Sequence, residues 1–235
     1  MDPNKNSTVT LSARSQNVIN AQTFGIRAQG VGTSDIGTRI NLYADQNLIN
    51  VTADKNFKTW STGIEATNNA AVNLAADAEG NANSLTQIFV ESAHENAMAL
   101  RGITAERAGV VKSNSDAFVL RLIDTVQRKD AQNANAAYTN AGIRGNDRGD
   151  VDITAGNVYI DVDNGRGAWL EYSSNLDIEA DNIAIDTHLA NEKLTQSGSA
   201  IYAYANSTAS LNAGNKVSLG SEGRLCHFGD VGFQR

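Results

Sequence analysis

The side chains best suited to chemistry crowd one stretch of the chain. Asp147, Asp150, Asp152, Asp161, Asp163, Asp177, Glu179, Asp181 and Asp186 lie there, with Arg144, Arg148 and Arg166 as the basic residues among them. Carboxylates in such a set can hold Ca²⁺ through hard oxygen ligands, or work as the paired acids of a glycosidase. No recognisable motif adds the Arg or Lys that a polysaccharide lyase sets beside its carboxylates. A solvated acidic face that keeps the protein soluble is therefore preferred to a catalytic one. Arg148-Gly149-Asp150 is the tripeptide that integrins read in many host ligands, and turn formation by Asp150 is the simpler account of it. His94, His188 and His227 are dispersed, without Cys or carboxylate at zinc-ligand spacing, so no metal or cofactor is expected. Neither a Gly-x-Ser-x-Gly elbow nor a P-loop occurs. No catalytic residue is assigned, and an enzyme is the minority reading.

What must position these residues is a repeat. A first segment, apolar-x-apolar-x-Ala, runs through Val9, Leu11 and Ala13; Ile40, Leu42 and Ala44; and Val72, Leu74 and Ala76. It returns at Val151, Ile153 and Ala155, at Leu176, Ile178 and Ala180, and at Ala209, Leu211 and Ala213. A second apolar segment follows each time, as in Ile49 and Val51, Ile88 and Val90, Val158 to Val162, Ile183 and Ile185, and Val217 and Leu219. A third closes the unit with a small residue before an apolar one: Gly25-Ile26, Gly63-Ile64, Gly102-Ile103, Gly142-Ile143, Gly167-Ala168 and Ser199-Ala200-Ile201. Successive closures are 38, 39, 40, 25 and 32 residues apart, so loops change length around a fixed strand set. The fourth unit is the least regular, with strands expected at 109–112 and 117–123.

Three short strands per unit, each with period-two alternation, predict an all-β fold: a right-handed, single-stranded parallel β-helix of about six to seven coils stacked ~4.8 Å apart. Asp152 and Asp177 hold equivalent places and are expected one above the other. An antiparallel sandwich also has many short strands, but it gives no reason for a repeated triple-strand order, and two-residue Asn-Gly hairpins are scarce. The chain reads as one β-helical domain over 1–222, with a long insertion at 124–141 and an irregular segment at 223–235.

With 19 Lys+Arg against 26 Asp+Glu, the formal charge is −7, which argues against nucleic acid and against an anionic membrane surface. No apolar run approaches the ~20 residues of a spanning helix. The polar start, Met1 to Asn6, is no signal peptide, so a secreted parent would carry its signal upstream. Cys226 is single and reads as a small apolar residue.

The segment from Ser199 through Ala213-Gly214 to Leu219, with Leu176 to Ile185 and Gly142 to Val162, resembles coils in the passenger domains of monomeric (type V) autotransporter adhesins. The likeness is one of pattern over about 7–222. It implies a surface-exposed or secreted protein of a Gram-negative bacterium, anchored by an outer-membrane barrel beyond this segment. The function it implies is adhesion or a structural stalk. Host-surface proteins or glycans, or another passenger domain, would be the partners. A carbohydrate-active enzyme using the acidic face is the alternative.

Long loops between second and third strands, at 52–62, 91–101, 124–141 and 186–199, should project from one edge. They carry Lys55, Phe57, Lys58, Trp60, His94, Arg101, Arg128, Lys129 and Tyr138, which are expected to form a comparatively basic, aromatic ligand-binding edge. Arg148, Gly149 and Asp150 are the candidate receptor triplet.

Overall fold

The computed structural model describes residues 7–31, 37–53, 60–92, 99–124, 140–188 and 198–222. The protein is all-β: of the described residues 78% are in strands and none is in a helix. Short Val, Ile and Leu runs between turn-forming Asn, Asp and Gly favour this outcome. The first unit comprises β1 (Ser7–Ser12), β2 (Gln16–Ala21) and β3 (Phe24–Gln29). The second comprises β4 (Thr38–Tyr43), β5 (Gln46–Ala53) and β6 (Ser61–Thr67), and the third β7 (Ala70–Ala75), β8 (Asn83–Ser92) and β9 (Leu100–Glu106). From there the first and second segments fuse. β10 (Val110–Asp124), β12 (Asp150–Asp163), β14 (Asn175–His188) and β16 (Thr208–Glu222) alternate with β11 (Asn140–Asn146), β13 (Gly165–Glu171) and β15 (Ile201–Ala203).

Every pairing among these strands is parallel, and each strand pairs with its counterpart in the next unit. The third strands form a six-stranded sheet in the order β15-β13-β11-β9-β6-β3, and the remaining strands form a ten-stranded sheet. Equivalent residues therefore stack. Ile49, Ile88, Leu120, Ile160 and Ile185 follow one another in register, each with 0% exposure. Burying each such side chain contributes about 1.5–3 kcal/mol. The six-stranded sheet supplies Ile26, Ile64, Ile103, Ile143 and Ala168 to the same core.

Outward positions stack too. Thr10, Asn41, Asn73, Lys112, Asp152, Asp177 and Ser210 form one row. Asn73 Nδ2 donates to Asn41 Oδ1 at 2.8 Å, and Asn41 Nδ2 to Thr10 Oγ1 at 3.2 Å.

The fourth unit differs from expectation. Instead of two separate strands, β10 runs unbroken from Val110 to Asp124 and keeps register with both neighbours. Its apolar pattern is interrupted because Ser113 stands where Leu74 and Ile153 stand in adjoining units. Backbone pairing tolerates this, since the Ser113 hydroxyl bonds Thr86 Oγ1 at 3.3 Å.

From the corner between β6 and β7 onward, two consecutive residues between each third strand and the next first strand take left-handed backbone values: Asn68 and Asn69, Arg107 and Ala108, Asp147 and Arg148, Tyr172 and Ser173, Ala205 and Asn206. The closure glycine lies inside the third strand and answers to packing. A Cβ on Gly63 would meet Ile88 Cγ2 at 2.4 Å and the Gly102 carbonyl at 2.7 Å, so no side chain fits where the strand enters the core.

Candidate functional site

The most unusual chemistry lies on the outer side of the six-stranded sheet. The residue between the two apolar members of each closure points away from the core. In register these are Arg27, Glu65, Thr104, Arg144, Trp169 and Tyr202. A flanking row contains Phe24, Thr62, Arg101, Ala141 and Arg166, and another contains Gln29, Thr67, Glu106, Asn146 and Glu171. Cations, rings and carboxylates thus stack at one-unit intervals.

Their contacts make a continuous chain across five units. The Arg101 guanidinium lies 4.0 Å from the centre of the Trp60 ring, and its Nη1 is 3.4 Å from Glu106 Oε1. Arg144 Nε reaches that same oxygen at 3.4 Å, while its Nη2 is 3.1 Å from Glu171 Oε2. Arg144 and Arg166 both lie against the Trp169 ring, at 4.2 and 4.3 Å, and Arg166 also covers Tyr202 at 4.0 Å. A separate pair precedes them, with Arg27 Nε 2.7 Å from Glu65 Oε1 and over Phe24 at 4.6 Å. Desolvated cation–ring contacts of this kind are worth about 2 kcal/mol each.

The middle of the stripe is sealed and its ends are open. Arg101 is 2% exposed and Trp169 5%, whereas Trp60 is 38% exposed and Tyr202 is half-buried. Burial, then the neighbouring Arg144 charge, pushes the Arg101 guanidinium down to about 9 against the pull of Glu106, Glu65 and Glu171. Burial also lowers Arg166. Several polar atoms here are buried without a hydrogen-bond partner: Arg101 Nε, Arg144 Nη1, Thr104 Oγ1 and Trp169 Nε1.

Of the residues expected on the binding edge, Trp60 and Arg101 are brought into contact. Arg101, placed by the sequence in a loop, sits in β9 with its guanidinium buried under the indole, because Trp60 caps the charge that the sheet would otherwise expose. Lys55, Phe57, Lys58, His94, Arg128, Lys129 and Tyr138 lie outside the described residues, as does the segment 223–235. Asp147, Arg148, Gly149 and Asp150 form the corner between β11 and β12. Arg148 (φ 65°) is exposed and its Nε lies 3.3 Å from Asp147 Oδ1, whereas Gly149 is buried. A Cβ on Gly149 would fall 1.9 Å from the Ala105 carbonyl oxygen, so glycine is required by packing at this corner.

Asp152 and Asp177 are register partners, as their spacing predicts. The sequence missed Lys112, the neighbour of Asp152 in that row, whose Nζ lies 2.6 Å from Asp152 Oδ2. Further along, Asp161 lies 3.2 Å from Arg121 Nη2 and 3.1 Å from His188 Nε2. Among the described residues, no group of three or more His, Cys, Asp or Glu is arranged to hold a metal ion. Sequence reasoning also passed over Arg27, Glu65, Arg144, Arg166, Trp169, Glu171 and Tyr202 as a set. Their signal was present: the variable residue inside each closure is charged or aromatic in five of the six units (Arg27, Glu65, Arg144, Trp169, Tyr202).

No protein-family model, curated protein or solved structure matches this chain.

Proposed function

We propose that this chain is a right-handed, single-stranded parallel β-helix acting as a non-enzymatic surface module. It would serve as an adhesin or stalk segment of an autotransporter-like protein of a Gram-negative bacterium. Support for the architecture comes from the pairing of every strand with its equivalent one unit on, since parallel crossovers of this kind are right-handed in ~98% of cases. Such a scaffold buries its apolar faces only by stacking, and leaves its outer rows free to carry contacts. The observation that carries the functional reading is the arginine–aromatic stripe, with Trp60 and Tyr202 accessible at its two ends. Accessible aromatic rings held rigidly, here by buried arginines beneath them, are among the side chains that dominate binding energy at protein contacts. The ligands are host or bacterial surface components.

The test is binding of the purified chain to immobilised extracellular matrix and to bacterial cells, compared with a Trp60→Ala/Tyr202→Ala variant. A saturable interaction weakened at least about tenfold by the double substitution supports the reading. Binding that survives both changes removes the stripe from the contact. Release of reducing or unsaturated ends from an acidic polysaccharide, abolished in Asp152→Ala, would replace this reading with the enzymatic one. The Lys112–Asp152 pair weighs against that outcome, because it holds the carboxylate to a structural partner.

A further inference from the structure

We infer that the two outer edges of the ten-stranded sheet are complementary, so that a second copy of this chain docks its β1 and β2 on β16 of the first. The contact lies on a different sheet from the arginine–aromatic stripe, and it stands whether or not that stripe binds a ligand.

The edges expose what the interior of the sheet buries. Val9 is 52% exposed and Leu11 41%, whereas Leu42, stacked on Leu11, is 0% exposed. On the opposite edge Val217 is 38% exposed, and Ile183, its register partner, is 1%. Among the described residues, β1 and β2 pair with a strand on one side only, and so does β16. Each edge therefore joins unpaired backbone N–H and C=O groups to uncovered apolar side chains, which is a template for a further strand.

The chain itself fits this template, for three reasons. First, the rows and the corner match. Followed through the sheet, Val9 shares a row with Ala209, Leu11 with Leu211 and Ile19 with Leu219. Leu11 and Ile19 are eight residues apart, as are Leu211 and Leu219, whereas the equivalent pairs in the units between are seven or fourteen apart. A second copy set one step beyond β16 therefore continues each apolar row at the usual ~4.8 Å spacing without a bulge. Second, the charges oppose. Residues 7–31 carry Arg14 and Arg27 and no carboxylate, on a chain of net charge −7. Arg14 is exposed at the corner after Ala13, the place that Gly214 takes after Ala213. A Cβ on Gly214 would come 3.2 Å from Asp181 Oδ1, so the missing side chain leaves that exposed carboxylate open to an arginine on the next level. Third, a donor is ready. Asn20 accepts from Asn50 Nδ2 through its Oδ1 at 3.0 Å, which leaves its amide N–H groups for the side away from Asn50. Asn20 shares a row with Gly220, and a Cβ on Gly220 would collide with Asp186 Oδ1. The Asn20 amide of the second copy thus meets a carboxylate across a glycine.

The full chain is followed by sedimentation velocity and electron microscopy from micromolar to near-millimolar concentration. A contact between unlike edges does not close on itself, so growth into unbranched rods one chain thick is expected rather than a dimer. Leu11→Lys and Val217→Lys each bring a cation into a position that the contact seals, on a side chain exposed in the free chain. Each variant alone stays monomeric and keeps the wild-type circular-dichroism spectrum. An equimolar mixture of the two gives one-to-one dimers and nothing longer, because each variant keeps one working edge. Arg14→Asp weakens association at least about tenfold, and adding Asp181→Arg to the same chain restores it. A chain that is monomeric over the whole range overturns the inference; slow amide exchange along β16 in that case gives its edge to the chain's own residues past Glu222. Association that survives both lysine substitutions, or a mixture that polymerises, overturns it as well. Neither failure touches the functional reading, which rests on ligand binding at Trp60 and Tyr202.

Discussion

Glu106→Gln tests the electrostatics of the stripe most directly. Glu106 Oε1 lies 3.4 Å from Arg101 Nη1 and 3.4 Å from Arg144 Nε, so one carboxylate neutralises two guanidiniums. Removing its charge leaves both cations facing each other across a region where the Arg101 side chain alone is only 3% exposed. Stripping the partner from a buried ion costs about 3–5 kcal/mol. The Glu106 side chain retains 21% exposure and Glu171 still serves Arg144, so the expected loss is smaller, about 2–3 kcal/mol. For a chain of this length that lowers the melting temperature by roughly 4–12 °C. Urea unfolding followed by circular dichroism measures the change, and a double-mutant cycle with Arg144→Met isolates the coupling. In the double variant one of the two cations is gone, so Glu106→Gln should cost about half as much there. A loss below about 0.5 kcal/mol in the wild-type background, or the same loss in both backgrounds, would refute the shared-carboxylate account.

Gly63→Ala should destabilise by about 1–3 kcal/mol or prevent folding, since the added Cβ meets both Ile88 and a backbone carbonyl; chemical denaturation reports it. Thr62→Val should raise stability by about 1 kcal/mol, because the Thr62 hydroxyl is buried without a partner and valine has the same shape. Asp150 has its carboxyl pKa raised by burial and by repulsion from Asp152 and Asp177, against the pull of Lys112. An acid with a raised folded pKa destabilises the fold once pH passes its unfolded value near 3.8. Asp150→Asn should therefore stabilise the protein at pH 7 and make no difference at pH 3, as read from melting temperatures at the two values.

The repeat was legible because its determinants are local. Ile40, Leu42 and Val72, Leu74 announce inward positions by alternation, and their pairing follows from equal spacing. The fused strands were less legible. Ala155-Gly156-Asn157 looks like a turn, yet β12 passes through it without a break. The stripe escaped for a different reason. Arg144 and Trp169 hold the same place in successive closures, but alternation draws attention to the apolar members on either side and not to the residue between them. Arg101 lies just before its closure, and only the register of β9, β11 and β13 brings it beside them. Arg101 illustrates the limit: it ends a loop in sequence terms, but pairing with Ala141 draws it into a strand, where Trp60 covers it.

The left-handed pairs at the corners have a consequence for how such a chain can change over evolutionary time. Asn68, Asn69, Asp147 and Asn206 belong to the types that tolerate this backbone well; Arg107, Ala108, Arg148, Tyr172, Ser173 and Ala205 do not. The strands on either side hold this conformation, so Arg, Ala, Tyr and Ser are accommodated there despite its cost. Tyr172 and Tyr204, one unit apart near this corner, already use the freedom and meet edge to face at 6.1 Å. Each unit thus holds an outward position that can be rewritten without disturbing the register. Together these positions form a row of independent tiles along the molecule, on which new surface chemistry can be written one tile at a time.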